Sequence, residues 1–315
     1  MNTPPLPPAL FLMGPTASGK TNLAIKLAQH LNAEIISVDS ALVFKGMDIG
    51  TAKPSLEERQ GIPHHLIDIL DPSESFSTGA FRKQALNLMA DITQRGKLPL
   101  LVGGTMLYFN SLFHGLAELP VANTELRQQL EIEAAEIGKQ AMHDKLRLID
   151  PTAAARIHPN DPQRVHRALE VYLLTDKSIT EHHQDAKENS LPYQQIKVII
   201  APENRALLHQ TIARRFKLML KNGFVAEVEQ LFQREDLHVH LPALRAVGYR
   251  QIWAYLENTI TEKEMQEQGI IATRQLAKRQ FTWLRRETEA HHFHTEALKF
   301  DEVLSCVKKD IETLT

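Results

Sequence analysis

The sequence predicts an α/β fold: a parallel sheet with helices on both faces, plus an inserted all-helical domain. Three observations carry this. A short apolar run, Ala9-Leu10-Phe11-Leu12-Met13, ends directly in a Gly-rich loop, Gly14-Pro15-Thr16-Ala17-Ser18-Gly19-Lys20-Thr21. A helical pattern and a second apolar run follow, completing a β–α–β unit, which demands a parallel sheet covered on both faces. From about 122 to 192 strand-like runs disappear and the texture becomes polar and helical.

The first apolar run reads as a buried parallel strand. From Thr21 to Leu31, Leu23, Ala24, Leu27, Ala28 and Leu31 recur at helical spacing. Glu34-Ile35-Ile36-Ser37-Val38 is the second strand and ends at Asp39-Ser40. His65-Leu66-Ile67-Asp68-Ile69 is a further short strand, and Phe81 to Arg95 a helix closed by Gly96. Leu98-Pro99-Leu100-Leu101-Val102 runs as a strand into Gly103-Gly104-Thr105. Within the insertion, Asp161-Pro162 starts a helix, Asp as N-cap and Pro at the first helical position. That helix runs from Gln163 to about Leu174, and the polar stretch from Asp176 to Asn189 is expected to be a mobile connection. Lys197-Val198-Ile199-Ile200-Ala201 returns to the sheet, and from Glu203 the pattern is helical to the end. The expected domains are a core of 1–121 and 193–315 and an insertion of 122–192.

The chain has 315 residues, enough for a large core plus an insertion. Apolar residues make up 43% and charged residues 23%, the balance of a soluble globular protein. The one cysteine, Cys306, rules out disulfides and suits a reducing compartment, with the thiol as a small core residue. The proline-rich start, Met1 to Pro8, lacks the basic and apolar segments of a signal peptide and reads as an extended lead-in. No apolar run approaches the ~18 residues of a membrane span. A cytoplasmic monomer is expected. The net charge is −2, so a nucleic-acid face must be local rather than global.

A GxxxxGK[ST] loop turns its backbone N–H groups inward, and the helix behind it adds partial positive charge. Lys20 supplies a full charge to phosphate oxygens, and Thr21 offers a hydroxyl to Mg2+. The loop follows a strand and opens a helix, as a P-loop NTPase-like core requires. It predicts a site for two linked phosphates and leaves open what hangs from them.

Two further groups fall at the ligand edge of the expected sheet, beyond the strand C-termini. Asp39 follows the second strand. It is placed to hold Mg2+ through water, to accept a proton from a nucleophile, or to cap the next turn with Ser40. Thr105 follows a glycine pair that lets backbone approach phosphate. Its hydroxyl can donate to a leaving-group oxygen or cap the next helix. Between Arg274 and Arg286 there are five basic residues and no acid. At about 100° per residue, Arg274, Lys278, Phe281 and Arg285 share an arc, with Trp283 nearby. Basic residues interleaved with aromatics suit a nucleic-acid face; a solvated helix face is the alternative. Arg164 and Arg167 share a helix face with Glu170, where Arg167–Glu170 is readable as a surface ion pair. His291-His292-x-His294 lacks the partner ligands of a zinc site.

Together these pieces resemble the bacterial tRNA dimethylallyltransferases, also called tRNA isopentenyltransferases. The resemblance rests on Gly14 to Thr21, and on Asp39-Ser40 followed by Gly46-Met47-Asp48-Ile49-Gly50-Thr51-Ala52-Lys53-Pro54. It extends to Val102-Gly103-Gly104-Thr105-Met106-Leu107-Tyr108 and His158-Pro159-Asn160-Asp161-Pro162-Gln163-Arg164. Val247-Gly248-Tyr249-Arg250 and Thr273 to Gln280 complete it. It covers about Leu10 to Arg285. Many members have Met-Gln where this chain has Ala41-Leu42, and Tyr where it has Phe44.

The resemblance implies transfer of a dimethylallyl group from dimethylallyl diphosphate to N6 of adenosine 37, beside the anticodon, in tRNAs that read codons starting with U. It implies Asp39 as general base, Thr105 at the pyrophosphate or its bridging oxygen, and Arg215 at the pyrophosphate, with Arg214 as the neighbouring alternative. Gly14, Pro15, Thr16, Ala17, Ser18, Gly19, Lys20 and Thr21 would hold the diphosphate, Thr21 with Mg2+. Contacts to the tRNA anticodon stem-loop are implied at Asp39, Ser40, Ala41, Leu42, Thr105 and Arg127. In the insertion they map to Gln163, Arg164, Val165, His166 and Arg167. Later in the chain they map to Arg245, Ala246, Val247, Gly248, Tyr249 and Arg250, and then to Lys278, Arg279, Gln280, Phe281, Thr282, Trp283, Leu284 and Arg285. Two other classes use some of the same features. A small-molecule or nucleotide kinase would need a distal acid, for which Ile67-Asp68 is available. A non-catalytic RNA-binding protein would keep the basic face without needing Asp39 or Thr105.

Overall fold

The structure, a computed structural model, describes residues 5–117, 119–185 and 191–314. Residues 1–4 of the expected lead-in and 186–189 of the expected connection lie outside the described residues.

Six strands form one sheet: β1 (Pro8–Met13), β2 (Ala33–Val38), β3 (His64–His65), β4 (Leu98–Gly103), β5 (Gln194–Ala201) and β6 (His291–His294). Their order is β3-β2-β4-β1-β5-β6, and every neighbouring pair is parallel. The fold is thus the α/β arrangement with a parallel sheet that the apolar runs predict. Side chains of β1 and β2 are buried almost throughout, which is why these strands read as continuous apolar runs. Helices α1 (Lys20–Leu31), α2 (Thr78–Gln94) and α3 (Met106–His114) follow β1, β3 and β4.

Two expectations change. The third strand is only two residues long, because Leu66 and Asp68 adopt left-handed φ values of 62° and 55° and turn the chain away from β2. It pairs instead with the segment after Asp39, where Ile69 N–H donates to Val43 O at 2.9 Å. The C-terminal region is not wholly helical either. Helices α8 (Arg205–Lys221), α9 (Phe224–Phe232), α10 (Tyr249–Leu256) and α11 (Glu262–Leu284) are followed by edge strand β6 and then α12 (Phe300–Leu314). The histidine run lies on β6, where His291 pairs with Asp310 at 2.7 Å. Among the described residues no group of three or more His, Cys, Asp or Glu could hold a metal. Cys306 lies on α12 and is only half-buried.

The main core packs α1 and α12 on β1, β4 and β5 through Leu10, Leu12, Leu27, Ile200, Val303 and Val307. A second cluster gathers Val43, Phe44 and Met47 with residues of α8 to α11. Phe44 is buried there, in a setting where a phenyl ring without a hydroxyl packs without cost. Among the described residues no helix is long and apolar enough to cross a membrane.

The chain divides into two compact units, Met1–Phe109 with Pro192–Thr315, and Asn110–Leu191. The second unit begins earlier than the edge expected at 122. It contains α4 (Thr124–Ile149), α5 (Pro151–Arg156), α6 (Pro162–Thr175) and α7 (Ile179–Asp185). The last of these occupies part of the expected connection. Asp161 caps α6, accepting from Arg164 N–H at 3.2 Å. Arg127 and Arg167 are not free cations on this unit. Both bind the Glu170 carboxylate, at 2.9 and 2.6 Å, and Asn123 N–H donates to it as well. Glu170 has no exposed surface, so this is a buried carboxylate held by two partly exposed guanidinium groups rather than the surface pair expected. Burial alone would raise the Glu170 carboxyl, but the two guanidinium groups hold it below its usual range. Glu170→Ala is expected to cost about 1–3 kcal/mol, because the Asn123 N–H and two partly exposed guanidinium groups lose their shared acceptor. The stabilisation from the depressed carboxyl should be complete above its ordinary value and fade as pH falls below it. Thermal unfolding of the full chain at pH 7 and pH 4 checks both statements.

Candidate active site

The C-terminal ends of β1, β2 and β4 deliver three segments to one cavity of about 610 Å³ in the first unit. The phosphate loop follows β1, Asp39 to Leu42 follow β2, and Gly103 to Leu107 follow β4. The opposite wall comes from α8 through Ile212, Arg215, Phe216 and Met219, and from α11. Arg245, Ala246, Val247 and Tyr249 complete it. The sheet topology therefore does what the ligand-edge rule for open parallel sheets requires.

Thr16 to Thr21 line the cavity, while Gly14 and Pro15 are buried behind them. A Cβ on Gly14 would lie 2.3 Å from Ile200 O, so only glycine fits where the loop leaves β1. The loop curls through left-handed φ values at Ala17 and Gly19, 64° and 79°. Lys20 folds back over it, and its Nζ donates to Gly14 O at 2.8 Å and Pro15 O at 2.6 Å. Lys20 is half-buried where it lines the cavity, and its ammonium is largely desolvated by the loop around it. That desolvation, with Arg215 adding to it and Asp39 opposing it, pushes Lys20 down to about 7. Arg215 is lowered by burial too, again opposed by Asp39. Arg215 lines the cavity; Arg214 is exposed and does not. Lys20, Arg215 and Asp39 thus form an electrostatic set of two basic groups and one carboxylate along the cavity wall.

Asp39 Oδ1 accepts from Ala41 N–H at 2.8 Å and Leu42 N–H at 3.3 Å. The turn-capping role is real, and it fixes the carboxylate while Oδ2 takes part in no described hydrogen bond. Thr105 joins the same turn, its Oγ1 accepting from Ser40 N–H at 3.1 Å. The loop that follows, Asp48 to Gly50, is held by Glu227 of α9. The Glu227 carboxylate accepts from the N–H groups of Asp48, Ile49 and Gly50 at 2.9, 2.6 and 3.1 Å, and from the Tyr249 hydroxyl. Tyr249 is fully buried, and burial with the neighbouring carboxylate raises its phenol far above normal. Nothing in the local pattern around Glu227 marks this role. The sequence signal lies in its partners, the Gly46–Pro54 and Val247–Arg250 segments.

Helix α11 turns to the cavity a side other than the arc read from spacing. Thr273, Leu276, Arg279, Gln280 and Trp283 line the cavity. Arg274, Lys278, Phe281 and Arg285, the arc read from spacing, lie on a different side. Phe281 packs toward α8 near Leu208 and Ile212, and Lys278 and Arg285 are exposed. Helical periodicity fixes which residues share a face but not which face meets the sheet. Other expected RNA contacts also turn inward: Val165 and Leu284 are core residues and Gly248 is buried. Arg245 lines the cavity and is exposed, as are Gln163, Arg164, Arg250 and Thr282 elsewhere; His166 is half-buried. The Arg286 guanidinium lies 5.3 Å from the centre of the Trp283 ring. Asp68, the acid available to a kinase, does not line the cavity and is bound by the buried Lys53.

Fold and site define a P-loop α/β protein whose phosphate loop opens onto a cavity shared with a carboxylate and a second buried cation. The family model described as IPP transferase matches residues 42–287. A tRNA dimethylallyltransferase of Methylococcus capsulatus is 57% identical over 94% of this chain and 95% of its own. The structure is similar to that of the full-length tRNA isopentenylpyrophosphate transferase of Bacillus halodurans. The TM-score there is 0.71 at 39% identity, covering 98% of this chain and 96% of that one. A eukaryotic dimethylallyltransferase acting on tRNA gives a TM-score of 0.83 at 26% identity, with 98% and 80% covered. The chain belongs to the IPP transferase family.

Proposed function

We propose that this protein transfers a dimethylallyl group from dimethylallyl diphosphate to N6 of adenosine 37 in tRNA. The observation that carries the reading is one cavity lined at once by the phosphate loop, Arg215, Asp39 and Thr105. Its relatives' names supply the reaction class.

The reaction breaks the allylic C1–O bond and forms a C1–N6 bond, leaving diphosphate and one proton to be placed. Negative charge grows on the leaving oxygens, so cations and N–H donors already aimed at them lower the barrier. Lys20, Arg215 and the loop N–H groups supply these, and the Thr105 hydroxyl donates to the oxygen being released. The exocyclic amine must give up a proton as it attacks, and Asp39 Oδ2 takes it. Adenosine leaves the anticodon stack to reach this carboxylate. Mg2+ suits this site: Thr21 lies at the cavity, and its hydroxyl is the kind of hard oxygen that would hold a cation bound largely through substrate phosphates and water. Such an ion would neutralise diphosphate charge.

Incubation with labelled dimethylallyl diphosphate, Mg2+ and unmodified tRNA tests the proposal. Label in the tRNA is the expected result, and none would sink it. Exposed cations distribute the expected RNA contacts over Arg164, Arg245, Arg250, Lys278, Arg279 and Arg285. Replacing Lys278 and Arg285 by Ala should weaken tRNA binding and reduce the slope of log K against log salt by about 1 per lost phosphate contact. An unchanged slope would make this helix face a solvated surface only.

A further inference from the structure

Gln280 is 8% exposed near the C-terminal end of a helix that otherwise carries many charged residues. Its Oε1 accepts from Thr16 N–H at 2.8 Å, and its Nε2 donates to Gly104 O at 2.8 Å. One amide therefore joins the phosphate loop to the glycine pair. The place where it does so is informative. The β1–β4 ladder has its last register pair at Met13 and Gly103. Beyond that point both backbones leave the sheet as loops that line the cavity. The Gln280 side chain supplies the next rung. The fit is close, because a Cβ on Gly104 would lie 2.3 Å from Gln280 Nε2. Both amide ends are used in the only orientation that satisfies them, an acceptor toward N–H and a donor toward C=O.

We propose that Gln280 is a positioning residue for the diphosphate, bridging the phosphate loop and the Gly104–Thr105 segment so that both sides of the leaving group are held in register, rather than a contact to RNA. This rests on the diphosphate reading of the cavity. Without the bridge, a buried C=O and a loop N–H lose their partner and the two loops are free to separate. Glutamate in its place keeps an acceptor for Thr16 but has no donor for Gly104, and it sets a negative charge beside the phosphates.

The test uses the full-length chain with Gln280→Met and Gln280→Glu. The readouts are donor KM, kcat, affinity for inorganic pyrophosphate with Mg2+, and tRNA Kd. Expected for Gln280→Met is a loss of pyrophosphate affinity and a rise in donor KM, each ~10-fold or more, with tRNA Kd within about twofold of the parent. Gln280→Glu should lose at least as much pyrophosphate affinity. Gly104→Ala, which displaces the same amide while leaving Gln280 in place, should reproduce the pyrophosphate defect. It also serves as the second variant if Gln280→Met does not fold. Parental pyrophosphate affinity in the folded variants would overturn the proposal, and weakened tRNA binding alongside it would make Gln280 an RNA contact. If the parent protein binds pyrophosphate but transfers no label to tRNA, the proposed function fails while the Gln280 effect on pyrophosphate stays measurable.

Discussion

Asp39→Asn should reduce turnover by about 10²–10⁴-fold while leaving tRNA binding close to that of the parent. Asparagine is the informative replacement because Asp39 has two jobs. Its Oδ1 anchors the turn at Ala41 and Leu42, and an asparagine Oδ1 can accept the same two bonds. What asparagine cannot do is take a proton at the other position. A loss of turnover in Asp39→Asn therefore isolates proton acceptance, whereas Asp39→Ala loses the turn as well. Single-turnover label transfer with saturating tRNA is the measurement. Parental rates in Asp39→Asn would remove Asp39 as the base. Rates lost only in Asp39→Ala would leave it as a turn anchor.

Lys20→Met should abolish useful donor binding, and its effect on the stability of the ligand-free protein should depend on pH. Desolvation has brought the Lys20 ammonium down to about 7, so the folded, empty protein holds that proton less tightly than the unfolded chain does. Below pH 7 the ammonium is charged in both states and the fold bears the full penalty of burying it. As pH rises from about 7 toward the ordinary lysine value of 10.5, the unfolded chain binds more protons than the folded one, and stability increases. Methionine carries no charge, so the Tm of Lys20→Met relative to the parent should be highest near pH 6 and fall by pH 9. Donor binding runs the other way. At pH 8 the empty loop holds Lys20 mostly neutral, and a diphosphate recharges it. Calorimetry at pH 8 in two buffers of different ionisation enthalpy should show proton uptake on donor binding, and affinity should fall as pH rises above 7. Absence of uptake would mean that the ammonium is already charged in the empty loop.

Much of this was legible in the sequence where the signal was local. Leu10 to Met13, Ile35 to Val38 and Leu100 to Val102 are apolar because both faces of their strands are buried. The Gly14–Thr21 spacing carries its own chemistry. β6 was not legible, because His291-His292-Phe293-His294 sits on an edge with alternate side chains exposed and lacks an apolar run. The resemblance names RNA-contact residues in consecutive blocks, and the sequence alone does not say which of them face outward. Val165, Gly248 and Leu284 turn inward, Arg127 and Arg167 are held by Glu170, and Gln280 reaches the phosphate loop. Glu227 was invisible because its partners are backbone N–H groups about 178 residues away.

The strand order has a consequence for how the chain is made. β1 leaves the ribosome first, yet its sheet neighbours are β4 and β5, with Pro8 opposite Gln194. The strand that carries the phosphate loop must therefore wait, half-paired, through synthesis of the whole second unit before its other edge is covered. Domains tend to fold as they emerge, and long-range parallel pairing is slow. The second unit has the opportunity to fold while β1 is still open. The cavity closes later still, when α11 brings Gln280 and Trp283 to it. Nascent chains stalled before α11 would then carry a complete GxxxxGK[ST] sequence and no diphosphate site.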